Sequence, residues 1–330
     1  MTKITIGDYN TLRVIRKAQR PDSHSFTKEE TFGLYLDGGD DGEILMPQKY
    51  VPEGTKVGDD VRAFVYLDQE ERPIATTETP LCVVGDFAHL ACTWVNEYGA
   101  FLSWGVTKDL FCPFREQKKR MEMGNAYIVY VHHDEQSYRL VASAKVEHYL
   151  RSYQDDLKLW QKTHTEDGKP KEVAMQEAQT ADEQGATELP DDFKPLRKGQ
   201  AVKLLVWQKT DLGFKVIVQN RYAGLIYTNQ LFHFVQTGDV VQGYISNIRP
   251  DGKIDCALQP TGQRLTDEFA QTLYHYLQDN GGVCHLGDKS DAEQIKRTFH
   301  VSKKVFKRAV GDLYKRRLIT VEPELIALTD

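Results

Sequence analysis

The sequence predicts a mostly β, multidomain chain: three five-stranded oligonucleotide-binding-type barrels in tandem, followed by an α+β winged helix-turn-helix. Three observations predict it. Up to about residue 260, apolar residues alternate or fall in short β-branched and aromatic runs broken by Gly, Asp and Asn, which is the chemistry of strands and turns. Within that stretch one order of elements recurs three times. From Thr266 the apolar period changes to that of helices.

At 330 residues, 40% hydrophobic and 27% charged, the chain is too long for one small core and too apolar to be disordered throughout, so several domains are expected. The opening MTKITIGDYN has no apolar signal-peptide core, and no run of about 18 apolar residues exists, so neither export nor membrane insertion is expected. Five cysteines, Cys82, Cys92, Cys112, Cys256 and Cys284, are scattered and never form a CxxC pair. They predict reduced thiols in a cytoplasmic protein, with no disulfide framework and no zinc ribbon.

The repeat assigns the domains. Each unit has a short strand (EILMP at Glu43–Pro47, DLFCP at Asp109–Pro113, GLIYT at Gly224–Thr228). A Gly then opens a longer strand at Gly58, Gly124 and Gly238, and a final strand follows (PIATT, RLVASAK, KIDCALQ). A small antiparallel sheet of this kind removes its edges by closing. Barrels are therefore expected over residues 1–80, 81–150 and 196–261. Val146, Tyr149, Leu150, Tyr153, Leu157 and Trp160 fall at helical spacing, so a helix is expected to leave the second barrel. Val173 to Phe193 holds six acidic residues and no Lys or Arg, too little apolar area for a core, so 151–195 is expected to be that helix plus an acidic flexible linker. The last domain, 262–330, contains three helical patterns. Phe269, Leu273 and Leu277 mark the first; Ala292, Ile295 and Phe299 the second, with Ser290 and Glu293 as a capping box; Val305, Phe306, Ala309, Val310, Leu313 and Tyr314 the third, capped by Ser302. The tail LITVEPELIALTD returns to strand character around a Pro-containing turn, as a two-stranded wing would.

Charge is unevenly distributed. The net charge is −6, yet residues 1–80 carry −5, residues 81–198 carry −4 and residues 199–330 carry +3. Only the C-terminal part could attract a polyanion by its overall field. In the second unit, VNEYGAFLSWG places Tyr98, Phe101 and Trp104 around a Gly turn, and an alternating strand cannot bury all three on one face. Exposed rings for base stacking, with Arg139 as the nearby cation, are the expected chemistry. In the third unit Lys215, Arg221, Tyr222, Tyr227 and Lys253 interleave basic and aromatic side chains in the manner of a single-strand groove. The first unit has Asp37, Asp40, Asp41 and Glu43 on its expected binding face, which would repel a phosphate chain, so a packing or docking role is expected. Residues 289–317 hold ten basic residues against three acidic, and Lys303, Lys304, Lys307 and Arg308 fall on the exposed side of the third helix.

A catalytic reading finds little support. No Gly-rich phosphate loop follows a strand, no HExxH occurs, and Ser, His and Asp are not gathered into a nucleophile motif. His132 and His133 are adjacent on a strand and point to opposite faces, so they cannot share a metal. No cofactor and no metal is expected.

The run GAFLSWGVTKDLFCPFREQKKRMEMGNAYIVYVHHDEQSYRLVASAKVEHYL resembles the second barrel of the conserved virulence factor B family. The resemblance continues through KTDLGFKVIV, GLIYTNQLF, GDVVQGYI and IRPDGKIDCALQ, and through GDKSDAEQIKRTFHVSKKVFKRAVGDLYKRRLI in the tail. It implies RNA-binding barrels of the ribosomal protein S-one type, a C-terminal winged helix, and a role in post-transcriptional regulation of bacterial gene expression. It also implies that Tyr98 and Phe101 hold the two ring positions of such a barrel and Arg139 its basic position, with Cys112 where His is usual. In the third barrel those positions fall on Leu212, Lys215, Tyr227 and Lys253, so stacking is expected to give way to charge. The expected partner is single-stranded RNA lying along barrels two and three and onto the winged helix; the alternative is a DNA-binding transcription regulator whose barrels bind other proteins.

Overall fold

The computed structural model describes residues 3–19, 31–135, 137–165, 189–190, 192–228, 231, 234–260 and 263–329. It divides into two compact units, Met1–Tyr149 and Leu150–Asp330. The first contains a barrel of β1 (Asp8–Gln19), β2 (Thr31–Asp37), β3 (Glu43–Pro47), β4 (Asp60–Leu67) and β5 (Pro73–Thr76), and a second of β6 (Phe87–Val95), β7 (Gly99–Ser103), β8 (Leu110–Pro113), β9 (Ala126–His133) and β10 (Leu140–Ser143). The second unit begins with helix α1 (Tyr153–Thr163). It continues with a barrel of β11 (Ala201–Thr210), β12 (Gly213–Val218), β13 (Tyr222–Tyr227), β14 (Val240–Ile248) and β15 (Ile254–Ala257). A winged helix ends it: α2 (Gln263–Asp279), β16 (Val283–Cys284), α3 (Ala292–Phe299), α4 (Lys303–Lys315), β17 (Ile319–Val321) and β18 (Ile326–Leu328).

All three barrels close in one strand order, first, second, third, fifth, fourth, with the third and fifth strands parallel. The repeat read from the sequence is thus a repeat of topology. Two glycines per barrel explain much of the shape. Gly58, Gly124 and Gly238 sit at φ of 97°, 87° and 98°, a region closed to most side chains. Their N–H groups donate to Val14, Cys92 and Val206 of the first strands at 2.8, 2.9 and 2.8 Å. Immediately after those residues each first strand bulges, between Val14 and Arg16, Cys92 and Trp94, and Val206 and Gln208. A bulge re-aims the next side chain and sharpens the local bend, which a five-stranded closure requires. The second glycine lies on the second strand. A Cβ on Gly33, Gly99 or Gly213 would come within 2.2, 2.4 or 1.9 Å of the carbonyl oxygen of Met46, Cys112 or Ile226. Only a residue without a side chain lets the third strand approach that closely.

Barrels one and two share part of a core. Phe64 and Tyr66 of β4 pack with Trp104, Leu102, Leu110 and Val129 of the second barrel in one cluster, and Phe64 meets Trp104 edge-on at 5.4 Å. The third barrel is filled by alternation along β11: Val202, Leu204 and Val206 point inward with Val216, Val218 and Ile226. Helix α1 covers one side through Tyr153, Leu157 and Trp160. The helix starts at Ser152, whose hydroxyl accepts from Asp155 N, later than the apolar spacing from Val146 implies. Val146 to His148 is instead a single 3-10 turn. Most of the expected acidic linker lies outside the described residues, but Phe193 and Leu196 are buried against Tyr153 and the third barrel.

In the winged helix the three expected helices form around Phe269, Leu273, Ile295, Phe306, Ala309 and Leu313. Ser302 caps α4 by accepting from Val305 N, and of the expected apolar face Tyr314 lies outside the core, exposed near the helix end. The capping box at Ser290 does not form. Asp291 caps α3, accepting from Glu293 N, while the buried Ser290 hydroxyl accepts from Gly287 N at 2.8 Å. The wing also gains a strand, since β16 pairs with β18 and makes the sheet three-stranded.

Candidate nucleic-acid interface

The bulges place one outward row of three residues on each barrel. Cross-strand register joins Arg16, Tyr35 and Leu45 in the first, Trp94, Phe101 and Phe111 in the second, and lines Gln208, Lys215 and Leu225 in the third. Side chains directly opposite on one face of a sheet touch. Only the second barrel makes the row wholly aromatic.

There, Phe101 lies between Trp94, at 4.9 Å, and Phe111, at 5.1 Å. Trp94 is 55% exposed, and Phe101 and Phe111 are half-buried. Beside this row Tyr98 is 66% exposed at the β6–β7 turn, held by the Asn96 side chain, which accepts from the N–H groups of Tyr98 and Gly99. Arg139, just before β10, is exposed and forms an ion pair with Glu71 of the first barrel. A cavity of about 450 Å³ opens between this face and the β4–β5 turn, lined by Tyr98, Phe101, Phe111, Lys108, Arg139 and Glu71 among others. Lys108 donates through Nζ to the Asp68 carbonyl at 2.7 Å, and burial lowers its pKa.

Two expectations need correction. Trp104 is 2% exposed, wedged against Phe64, and its indole N–H donates to the Lys108 carbonyl at 2.6 Å. It is core shared by two barrels, and no base can stack on it. Cys112 is fully buried, because β8 alternates Leu110 in, Phe111 out, Cys112 in. The outward position is Phe111, a ring. Trp94 and Phe111 were both missed by sequence reasoning, although the alternation of LFCP carries the signal for Phe111. Trp94 could not be found that way, since the bulge before it breaks the alternation.

In the third barrel Lys215 projects over the Trp207 ring, 5.1 Å from its centroid. Tyr227 is half-buried, and its hydroxyl accepts from Arg249, a cation that sequence reasoning did not select. Arg249 pairs with Asp255 at 2.8 Å, and Lys253, exposed in the β14–β15 turn, pairs with Asp251 at 2.9 Å. Arg221 does not join them. It occupies the β12–β13 turn, the opposite end of the hairpin from Gly213 and Tyr227, and pairs with Asp192 at 2.8 Å. Its grouping with Lys215, Tyr227 and Lys253 is corrected, and so is that of Tyr222, which is 2% exposed in the third barrel's core and donates its hydroxyl to Asp156 at 2.9 Å. The first barrel's row is closed by its own charge: Arg16 lies 3.9 Å over the Tyr35 ring and is bound to Glu43 at 2.5 Å.

On α4, Lys304, Lys307 and Arg308 are exposed on the side opposite the buried Phe306, Ala309 and Val310. Lys307 pairs with Asp288 at 2.8 Å, whereas Lys304 and Arg308 form no ion pair among the described residues. Lys303 stands apart: it is half-buried and its Nζ donates to the Ser290 carbonyl at 2.8 Å, so it pins α4 to the turn before α3 instead of facing solvent with the others.

Three closed barrels of one topology and a winged helix with a basic helix face define a protein assembled from nucleic-acid-binding domain types. Residues 24–78 match the S1 domain, and residues 271–328 match the CvfB-like winged helix domain. Over most of its length the chain is similar to proteins named conserved virulence factor B. That protein of Staphylococcus saprophyticus is 22% identical over 89% of this chain and 88% of its own length. The uncharacterized protein YitL of Bacillus subtilis is 23% identical over 88% of this chain and 87% of its own. A solved multidomain protein with nucleic acid binding domains, from Streptococcus pneumoniae TIGR4, aligns over 98% of both chains at 20% identity with a TM-score of 0.38. Among the described residues no helix is long and apolar enough to cross a membrane.

Proposed function

We propose that this protein binds single-stranded RNA without catalysing a reaction on it, and acts in post-transcriptional regulation of gene expression in the bacterial cytoplasm. The observation that carries this reading is the outward row Trp94–Phe101–Phe111 with Tyr98 and Arg139 at its edge. Paired bases hide their faces, whereas unpaired bases can stack on rings, and ring stacking tolerates any sequence. The third barrel contributes charge through Lys215, Arg249 and Lys253, and α4 contributes Lys304, Lys307 and Arg308.

The exposed basic face of α4 supports one second reading, duplex DNA held by a recognition helix. Competition of unlabelled single-stranded RNA against duplex DNA for the full chain separates the two: RNA displaces a labelled RNA probe at lower concentration under the first reading, DNA under the second. Affinity for single strands should fall with salt by about 0.7 log unit per log unit of salt for each phosphate contact. Charge reversal of Lys304, Lys307 and Arg308 to Glu should reduce that slope by about two. An unchanged slope removes α4 from the site.

A further inference from the structure

The cavity beside the aromatic row contains a carboxylate that an electrostatic groove for RNA would be better without. Glu71 belongs to the first barrel, yet it lines the cavity on the second barrel's stacking face and holds Arg139. An acidic group there repels phosphate. Its placement is also strained, with Glu71 at φ 66°, a left-handed conformation costly for a residue with a side chain. The turn is built to hold it. The Asp68 carboxylate accepts from the N–H groups of Glu70 and Arg72, both at 2.9 Å, and from the Arg72 guanidinium at 2.8 and 3.0 Å. The Glu71 N–H itself donates to the Asp68 carbonyl at 3.1 Å.

We infer that the junction of barrels one and two is a base-selecting pocket, in which a guanine stacked on the Phe101 and Phe111 face is read by Glu71. This rests on the RNA-binding reading above and names its specificity. The volume of about 450 Å³ suits one nucleotide, within the range of about 300–1,000 Å³ that enclosed small-ligand sites span. An ionised carboxylate only accepts hydrogen bonds, and it can accept two side by side. Guanine alone among the standard bases offers two adjacent N–H donors, N1–H and N2–H, on its Watson–Crick edge. Adenine and cytosine place a ring acceptor next to their amino group, and uracil flanks its one N–H with carbonyls. Each of these would face Glu71 with a lone pair. In the free protein Arg139 satisfies the carboxylate. When RNA enters, the guanidinium can turn to a phosphate, for which it has the charge and fork geometry, and the two carboxylate oxygens receive the base.

The test uses the full chain and fluorescence anisotropy with labelled oligouridylate, and the same strand carrying one central guanosine, inosine or adenosine. Wild type should bind the guanosine strand about 10-fold more tightly than the adenosine strand, as a bidentate contact implies. Inosine, which keeps N1–H but lacks the N2 amino group, should fall between. Glu71→Gln and Glu71→Ala should bring the guanosine and adenosine strands within about twofold of each other, because the paired acceptors that read the base are gone. Residue 71 is exposed in a turn, and matching unfolding midpoints will show that both variants fold. A guanosine preference that persists in both variants, or one absent from wild type that still binds oligouridylate, overturns the inference while leaving the RNA reading standing. No binding of any strand by wild type overturns both.

Discussion

Replacing Phe101 by Ala separates a stacking surface from a structural one. The ring sits between Trp94 at 4.9 Å and Phe111 at 5.1 Å, and is half-buried. Aromatic pairs contribute about 0.5–1.5 kcal/mol each beyond area burial, so losing two costs the fold about 1–3 kcal/mol. The lost burial of the half-buried ring adds to that, and the total should not exceed the about 3–5 kcal/mol of a fully buried Phe, so the variant should fold. One stacked base contributes about 1–3 kcal/mol to single-strand binding. At 1.4 kcal/mol per tenfold, Phe101→Ala should raise the Kd for an oligoribonucleotide by about 5- to 150-fold. Anisotropy titration measures the Kd and urea unfolding measures the fold. Phe101→Tyr keeps a π-face and should recover most of the affinity. A folded Phe101→Ala protein with wild-type Kd refutes base stacking on this row.

Three further outcomes are expected. Trp104→Ala should lower stability by about 3–5 kcal/mol in chemical denaturation, because a fully buried ring shared by two barrels leaves a cavity and an unpaired Lys108 carbonyl. A Trp104→Ala protein as stable as wild type would contradict the shared core. Gly311→Ala should raise stability by about 0.8–1 kcal/mol, since position 311 is inside α4 and a Cβ there meets nothing within 4 Å. A fall would mean that the helix is strained there. All five thiols are buried, and burial pushes Cys82, Cys112 and Cys256 up to about 12. They should resist a thiol reagent at neutral pH and react on denaturation. Because the folded pKa lies above the unfolded value of about 9, the associated stability is present below pH 9 and lost as pH rises through about 12. Fast labelling of the native protein would count against the buried placement.

Apolar periodicity alone was enough to specify the three-barrel-plus-winged-helix architecture, because strand alternation and helical spacing are properties of consecutive residues. The exposure of Lys304, Lys307 and Arg308 on α4 was legible for the same reason, being set by the local period around Phe306. What only the tertiary structure decided were the positions governed by contacts far along the chain. Trp104 reads as a surface ring beside Tyr98 and Phe101 and becomes core because Phe64 arrives from another barrel. Trp94 joins the aromatic row because a bulge, pinned by the distant Gly124, shifts the alternation by one residue. Glu71 reads as an ordinary turn carboxylate until two barrels pack and set it against Arg139. Side-chain periodicity is a local property of the backbone, whereas burial and juxtaposition depend on which elements meet after the chain has folded back.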